Sequence, residues 1–385
     1  MTAAYVVLGI AAIPFIYYVI ALFSAWRFFR QPKAAADPSF TPPVSILKPI
    51  RGLDPGAYEN LASFCRQDYP AYEFILCIDP EDQGVRTVVE RLQRDFPERQ
   101  IRVLLGSGRV ASNDKVAKLA RLVAEARHEV VAISDSDVRV EPDYLRTVTA
   151  PLRDPGVGVV TCFYIHLDGR MFADHLHTAG MMSDFYAGVL VDWQLEGLKF
   201  TLGPSITTTR ARLDAFGGYA ALENRPADDL LVGRLIAQQG YEVRLLPYAV
   251  STVSDYQSMS ELLHKRLRWI VVMRHMRPWG HFGLLLTQGL PWSLAAVAVH
   301  PSSAVAFGYF GAYLALRVAM AWTIGVRGLH QPRLSKPMML IPLWDAAAFL
   351  IWVASFTRNS IRWRGADYYI RQGQLVPVVS DRAGK

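Results

Sequence analysis

Apolar residues crowd both ends of this chain and alternate with polar ones between. From Met1 to Trp26 the run MTAAYVVLGIAAIPFIYYVIALFSAW holds no charge, and Arg27, Arg30 and Lys33 follow at once. As a helix, that run is long enough to cross ~30 Å of hydrocarbon. A secretory leader is the poorer reading, because no basic segment precedes the run and the run is too long. The basic flank places residue 27 onward in the cytoplasm and the N-terminus outside. Three further stretches close the chain: 282–299 without charge, 304–326 with Arg317 alone, and 338–356 with Asp345 alone. The basic link RGLHQPRLSK between the last two reads as cytoplasmic. Four crossings would leave the basic tail RNSIRWRG outside, against the positive-inside rule; an interfacial or re-entrant 282–299, which contains Pro291, would put it inside.

Between these blocks, roughly residues 38–280, short apolar runs alternate with amphipathic ones. A Pro-rich linker leads to a predicted strand at 44–47, and YEFILCI (72–78), IRVLL (101–105) and EVVAIS (129–134) give three more. VRTVVERLQRDF (85–96) predicts a helix, and Asn113 caps another running through Ala126. This alternation predicts an α/β domain with a parallel sheet and helices on both faces.

Ligands of such sheets bind beyond the carboxyl ends of the strands. Asp79 follows one strand end, and Asp135-Ser136-Asp137 follows another. Two carboxylates one residue apart repel each other, but together they suit a hard cation such as Mg2+ or Mn2+, with phosphate oxygens completing its shell. The D-x-D alone is a weak signal, because turns after strands are rich in Asp for ordinary reasons. RPADDLLVGRLIAQQG (225–240) reads as a helix with Asp228 and Asp229 in its first turn. Acidic residues stabilise a helix N-terminus without further duty; the chemical alternative makes one of them a general base. SELLHKRLRWIVVMRHMRPW (260–279) predicts a basic helix with apolar residues at helical spacing, suited to a membrane surface. Arg268 could also serve a phosphate there, and Trp269 an acceptor.

Composition adds limits. The 385 residues are 51% hydrophobic and carry net charge +7, which suits an anionic partner such as a nucleotide phosphate or an acidic membrane surface. Cys65, Cys77 and Cys162 show no CxxC spacing, so neither a disulfide framework nor a zinc site is expected. Cys77 and Cys162 lie in strand-like runs and read as core.

Four ordered segments resemble membrane glycosyltransferases of the ceramide glucosyltransferase type, glycosyltransferase family 21, and bacterial enzymes acting on ceramide or hopanoid lipids. They are PPVSILKPIRGLDPGAYENLASFCRQDYPAYEFILCID, NDKVAKLARLVAEARHEVVAISDSDVRVEPDYL, GGYAALENRPADDLLVGRLI and HKRLRW. The similarity runs from about residue 42 to 275. The resemblance implies a GT-A-type, Rossmann-like nucleotide-sugar-binding domain with transmembrane helices at both ends. Its expected divisions are an anchor at 1–28, a cytoplasmic catalytic domain at 29–257, an interfacial helix at 258–281, membrane helices at 282–358 and a basic tail at 359–385. Carried over by position, Asp79 (or Asp82, since CIDPEDQG is a residue short), Lys115, Asp135 and Arg268 would meet the nucleotide sugar. Asp135 and Asp137 would hold the metal, Asp229 would be the base, and Asp228 and Trp269 would face the acceptor. Lys265 stands where the family motif has Gln or Arg.

The implied reaction is inverting transfer from a UDP-sugar to a lipid hydroxyl, most simply ceramide, giving a β-linked glycolipid at a bacterial inner membrane, with no nucleic-acid partner. FTLGPSITTTR (200–210) is expected near the donor. The sugar stays open among glucose, its uronic acid and N-acetylglucosamine, and hopanoid or diacylglycerol remain as acceptors. A small polysaccharide synthase is the rival enzyme, although such enzymes use more spans. A membrane-tethered nucleotide-sugar-binding scaffold is the rival without catalysis, and it has no need of a base. A two-carboxylate hydrolase needs neither the D-x-D nor the basic helix. Within the membrane cluster, Arg317 and Asp345 lie at similar depths below the basic link and are expected to pair, since isolated charges in hydrocarbon are costly.

Overall fold

The computed structural model describes residues 2–31, 39–109, 111–167, 169–253, 256, 258–363 and 366–378. Its centre is an eight-stranded sheet. The strands are β1 (Val44–Pro49), β2 (Tyr72–Ile78), β3 (Ile101–Leu105), β4 (Val130–Ile133), β5 (Val138–Arg139), β6 (Val157–Leu167), β7 (Ile206–Thr209) and β8 (Glu242–Val253). They lie in the order β3-β2-β1-β4-β7-β6-β8-β5. The neighbours β1/β2, β2/β3, β1/β4 and β6/β8 pair in parallel, as the alternation of strands and helices requires. β7 runs antiparallel between β4 and β6, and β5 antiparallel to β8, so the sheet is mixed though mostly parallel. Every residue of β1 is buried, the mark of a strand covered on both faces. Helix Asp114–Glu125 starts where Asn113 accepts the Val116 amide at 3.4 Å, the cap expected from sequence.

The helix expected over 260–279 ends earlier, as Met259–Met276. Arg277 has left helical geometry (φ −141°, ψ 69°) because Pro278 follows, and a residue before proline disfavours the α region. A new helix, Pro278–Gly283, begins there.

Among the described residues, three helical stretches have the length and composition to cross a membrane: Ala3–Phe29, Ser303–Gly328 and Pro332–Ser355. A fourth candidate is a pair, Pro278–Thr287 and Gly289–Val299, bent by 54°. Tyr18 of the anchor serves that bend from both sides. Its hydroxyl donates to the Thr287 carbonyl at 2.9 Å and accepts the Gly289 amide at 2.8 Å. Any side chain at Gly289 would meet the Tyr18 hydroxyl 2.6 Å from its Cβ. At its C-terminal end the anchor docks on the sheet domain, where Phe28 lies edge-on to Phe163 of β6 and Trp193 at 5.7 and 5.0 Å.

Arg317 and Asp345 do pair. The Arg317 Nε donates to Asp345 Oδ2 at 2.9 Å and a second guanidinium nitrogen meets Oδ1. The Tyr313 hydroxyl donates to the same carboxylate at 2.7 Å, and the Ser183 carbonyl accepts from Arg317. Both charges are therefore buried fully partnered.

The tail, read from sequence only as basic, forms a three-stranded antiparallel sheet of β9 (Ser360–Trp363), β10 (Ala366–Arg371) and β11 (Gln374–Pro377). It rests on the sheet domain: the Leu375 amide donates to the Asn224 carbonyl at 2.7 Å and the Tyr368 hydroxyl to the Ser112 carbonyl at 3.4 Å.

Candidate active site

The carboxyl ends of β1, β2 and β4 open on one cleft. Asp79, just past β2, accepts from Lys118 at 2.6 Å; Lys118 is wholly buried and also donates to the Ile50 carbonyl at 2.7 Å and pairs with Asp114 at 3.1 Å. Asp82 is occupied otherwise. Its Oδ1 accepts the Val85 amide at 3.0 Å and so caps the helix Gln83–Asp95. That local duty leaves Asp79 as the better candidate at the cleft.

After β4 the chain turns through Asp135-Ser136-Asp137 into β5, and the turn is tied from beneath. Buried Lys48, at the end of β1, donates to the carbonyls of Asp135 at 2.5 Å and Val138 at 3.3 Å. Its ammonium also lies 3.9 Å from the centre of the Phe64 ring. Burial lowers the Lys48 ammonium to about 7 despite the nearby Asp137 and Asp135. Asp137 moves the opposite way. Burial, then the charges of Asp135 and Asp54, raise its carboxyl to about 7.

Opposite stands the first turn of the helix Asp228–Gln238. Ala227, just before it, holds left-handed backbone (φ 56°), which an alanine adopts only at a cost of order 1 kcal/mol. Lys115 bridges the halves of the cleft, 2.5 Å from Asp135 Oδ1 and 3.6 Å from Asp228 Oδ2. Burial works against the Lys115 charge, but Asp135 and Asp228 outweigh it and hold the ammonium above its ordinary range. Asp229 is raised to about 6, by burial first and then by the charge of Asp228. Gly203 passes so close that a Cβ there would lie 3.1 Å from Asp229 Oδ2. Tyr219 is buried in the same neighbourhood, and burial followed by Asp228 pushes its hydroxyl upward.

The third wall is the Met259–Met276 helix. Trp269 lies 6.0 Å from Phe185 and 6.3 Å from His177, ring to ring. Lys265 sits 4.8 Å over Tyr256 and 5.9 Å over Trp269, and its charge bears on Asp137. Arg268 lies half-buried one residue before Trp269. Its neighbour Arg266 is the buried arginine, 4.3 Å over Trp344 and 3.8 Å from Asp184. His166 and His177 meet edge to face, 4.6 Å between ring centres, beside Tyr256. Burial first, and Lys265 next, lowers His166 to about 4, so the ring is neutral.

Of the residues singled out from sequence, Asp135, Asp137, Asp228, Asp229 and Lys115 thus come together, with Asp79 at the adjoining strand end. Lys48, Lys118, Asp54 and Tyr219 were not foreseen. The only hint for Lys48 was a lysine closing an otherwise apolar strand.

A divalent cation fits Asp135 and Asp137 by chemistry. Burial and the charges of Asp135 and Asp54 raise the Asp137 carboxyl, a cost that a bound cation would relieve, and carboxylate oxygens are the donors Mg2+ and Mn2+ take. Among the described residues no three His, Cys, Asp or Glu side chains gather as a complete metal cage, so the remaining oxygens would come from ligand and water.

Residues 6–376 match glycosyl transferase family 21. The chain belongs to glycosyl transferase family 21. Among family 21 relatives, ceramide glucosyltransferase 3 of Caenorhabditis elegans is 22% identical over 378 residues, covering 94% of this chain and 80% of the relative. Ceramide glucosyltransferase 1 of the same organism is 23% identical, covering 93% and 78%. The ceramide glucosyltransferase of Komagataella phaffii is 32% identical over 142 residues, 34% of this chain and 28% of that one. A solved mannosyltransferase from Pyrobaculum calidifontis, in complex with GDP-mannose and Mn2+, matches in fold with TM-score 0.57 at 19% identity, covering 91% of this chain and 98% of that one. The family 21 chain is therefore a membrane-associated glycosyltransferase with a GT-A-like catalytic domain.

Proposed function

We propose that this enzyme transfers a hexosyl group, glucose or a close relative, from a UDP-sugar to the hydroxyl of a membrane lipid of the ceramide class. The observation that carries the reading is the Lys115 bridge, 2.5 Å from Asp135 and 3.6 Å from Asp228, which brings a diphosphate-side carboxylate and the base-side pair to one point. Asp135 and Asp137 would hold a Mg2+ or Mn2+ ion, which when bound offsets charge on a departing diphosphate. Lys115 and Arg268 supply fixed positive charge on the same side. Asp229 takes the proton from the acceptor hydroxyl as that oxygen attacks the anomeric carbon from the face opposite the diphosphate. An α-linked donor then gives a β-linked product. Asp79 is assigned to the nucleotide, and Trp269 and Asp228 to the acceptor.

The lipid side has support of its own. A largely apolar cavity of about 300 Å³ lies between the motif helix, Met259–Met276, and helix Ile341–Ser355, lined by Leu263, Leu267, Ala347, Leu350, Ile351 and Ala354 with His264 among them. Its apolar side chains suit hydrocarbon. To test the reading, purified protein in lipid is incubated with radiolabelled UDP-glucose, UDP-glucuronic acid or UDP-N-acetylglucosamine and with ceramide, hopanoid or diacylglycerol. Label should enter a ceramide product in β linkage. Release of free sugar without a labelled lipid, for every donor, would overturn it.

A further inference from the structure

We propose that the last apolar helix, Ile341–Ser355, does not cross the membrane but lies flat in the leaflet next to the catalytic domain, its outer face against lipid. The partner of this surface is the hydrocarbon just below the headgroups, and the proposal is independent of donor and acceptor.

Both ends of the segment are on the catalytic side. The preceding helix stops where the anchor stops, for a Cβ on Gly328 would come 2.5 Å from the Phe29 ring, and Phe29 stacks on Phe163 of the catalytic sheet. Beyond the segment, Arg274 holds the Arg358 carbonyl at 2.6 Å and Asn359 Oδ1 at 2.9 Å. The tail sheet that follows is bonded to Asn224 and Ser112 of the catalytic domain. A helix that starts and finishes on one side has not crossed.

Its course agrees. Trp344 packs against Arg266, and Arg358 lies at Arg274, so the segment runs alongside the motif helix in the same sense. That helix carries Lys265, Arg266, Arg268 and Arg274, too many charges for a hydrocarbon span. Depth agrees as well. From Ser303 to Arg317 the incoming helix rises ~21 Å, which leaves ~9 Å of a ~30 Å core beyond Arg317 and its partner Asp345. In-plane helices sink about 5–10 Å. Trp322, half exposed and a turn and a half closer to the catalytic domain, then falls at headgroup level, where tryptophan is favoured. The outer face is built for lipid, with Met339 88% and Leu350 65% exposed and Leu343 and Val353 beside them, while Trp344, Asp345, Ile351 and Trp352 turn inward. The bent pair 278–299 then makes the outward crossing and Ser303–Gly328 the return. The basic tail and the basic link both come to rest on the catalytic side, as the positive-inside rule asks.

The test uses full-length protein in vesicles and single cysteines placed at exposed Glu90, His300 and Gln374; the native Cys65, Cys77 and Cys162 are buried. With a membrane-impermeant maleimide, Gln374→Cys should label from the same side as Glu90→Cys, and His300→Cys only from the other. Separately, a fluorophore on Leu350→Cys, with Leu343→Cys as the second site, should be quenched several-fold more by lipids brominated near the headgroup than by those brominated near the chain ends. Labelling of Gln374→Cys from the His300 side would overturn the proposal. So would labelling of His300→Cys from the Glu90 side, or stronger quenching by the deep bromines at both helix sites.

Discussion

A carboxyl that holds its proton to about 7 sets a condition on any cation that would use it. Asp137 is raised that far by burial and by Asp135 and Asp54, so below neutrality a proton competes for the metal-facing oxygens. Mn2+ affinity in the presence of UDP should therefore weaken as pH falls through about 7, a trend calorimetry would follow. Asp135→Ala and Asp137→Ala should each abolish sugar transfer and remove the metal-dependent part of UDP affinity; full activity of the wild type in excess chelator would end that assignment. Asp229 is raised less far, to about 6, and as the proposed base it must be ionised to accept a proton. Turnover should rise with pH through about 6 and level off above. Asp229→Asn should cut turnover by ~10²-fold or more with donor affinity near normal. Asp228→Asn should move the acid limb to lower pH, because the charge that raises Asp229 is gone. If Asp228→Asn instead removes turnover outright while Asp229→Asn does not, the two roles are exchanged.

Some contacts between helices here are specific enough to be broken one at a time. Removing either partner of Arg317–Asp345 leaves a buried charge alone, which typically costs about 3–5 kcal/mol. Arg317→Met or Asp345→Leu should thus lower the midpoint of thermal unfolding in detergent, and the double substitution should recover part of the loss. Exchange of the two charges should recover less than the double substitution, because the Ser183 carbonyl and Tyr313 hydroxyl are placed for the native arrangement. The cavity between the motif helix and Ile341–Ser355 offers a separate handle. Ala347→Phe or Ala354→Phe should fill it and raise KM for the lipid several-fold while KM for the UDP-sugar holds. A parallel rise in both would detach the cavity from the acceptor.

The strands β1, β2 and β4 were legible in sequence because each is buried through nearly its whole length and reads as one apolar run, while β3, half-buried at the sheet edge, was legible from IRVLL. The carboxylates of the cleft were legible because Asp at a strand end or in a helix first turn stands out whatever its purpose. Lys48 and Lys118 were not, since a lysine in a short motif reads as surface, and their partners Asp135 and Asp79 lie far along the chain. The tail sheet escaped for a different reason: Ile361, Ile370 and Leu375 are its only buried hydrophobic residues among those described, too few to mark strands. Both extremities of the chain grip the same catalytic body, the anchor through Phe28 against Phe163 and Trp193, the tail through Leu375 at Asn224. A body moored at two points keeps a fixed height above the bilayer. Under the proposed reaction, Asp229 would then read acceptors with a ruler, serving a hydroxyl that stands at one level and passing over a lipid whose hydroxyl is carried higher by a longer headgroup.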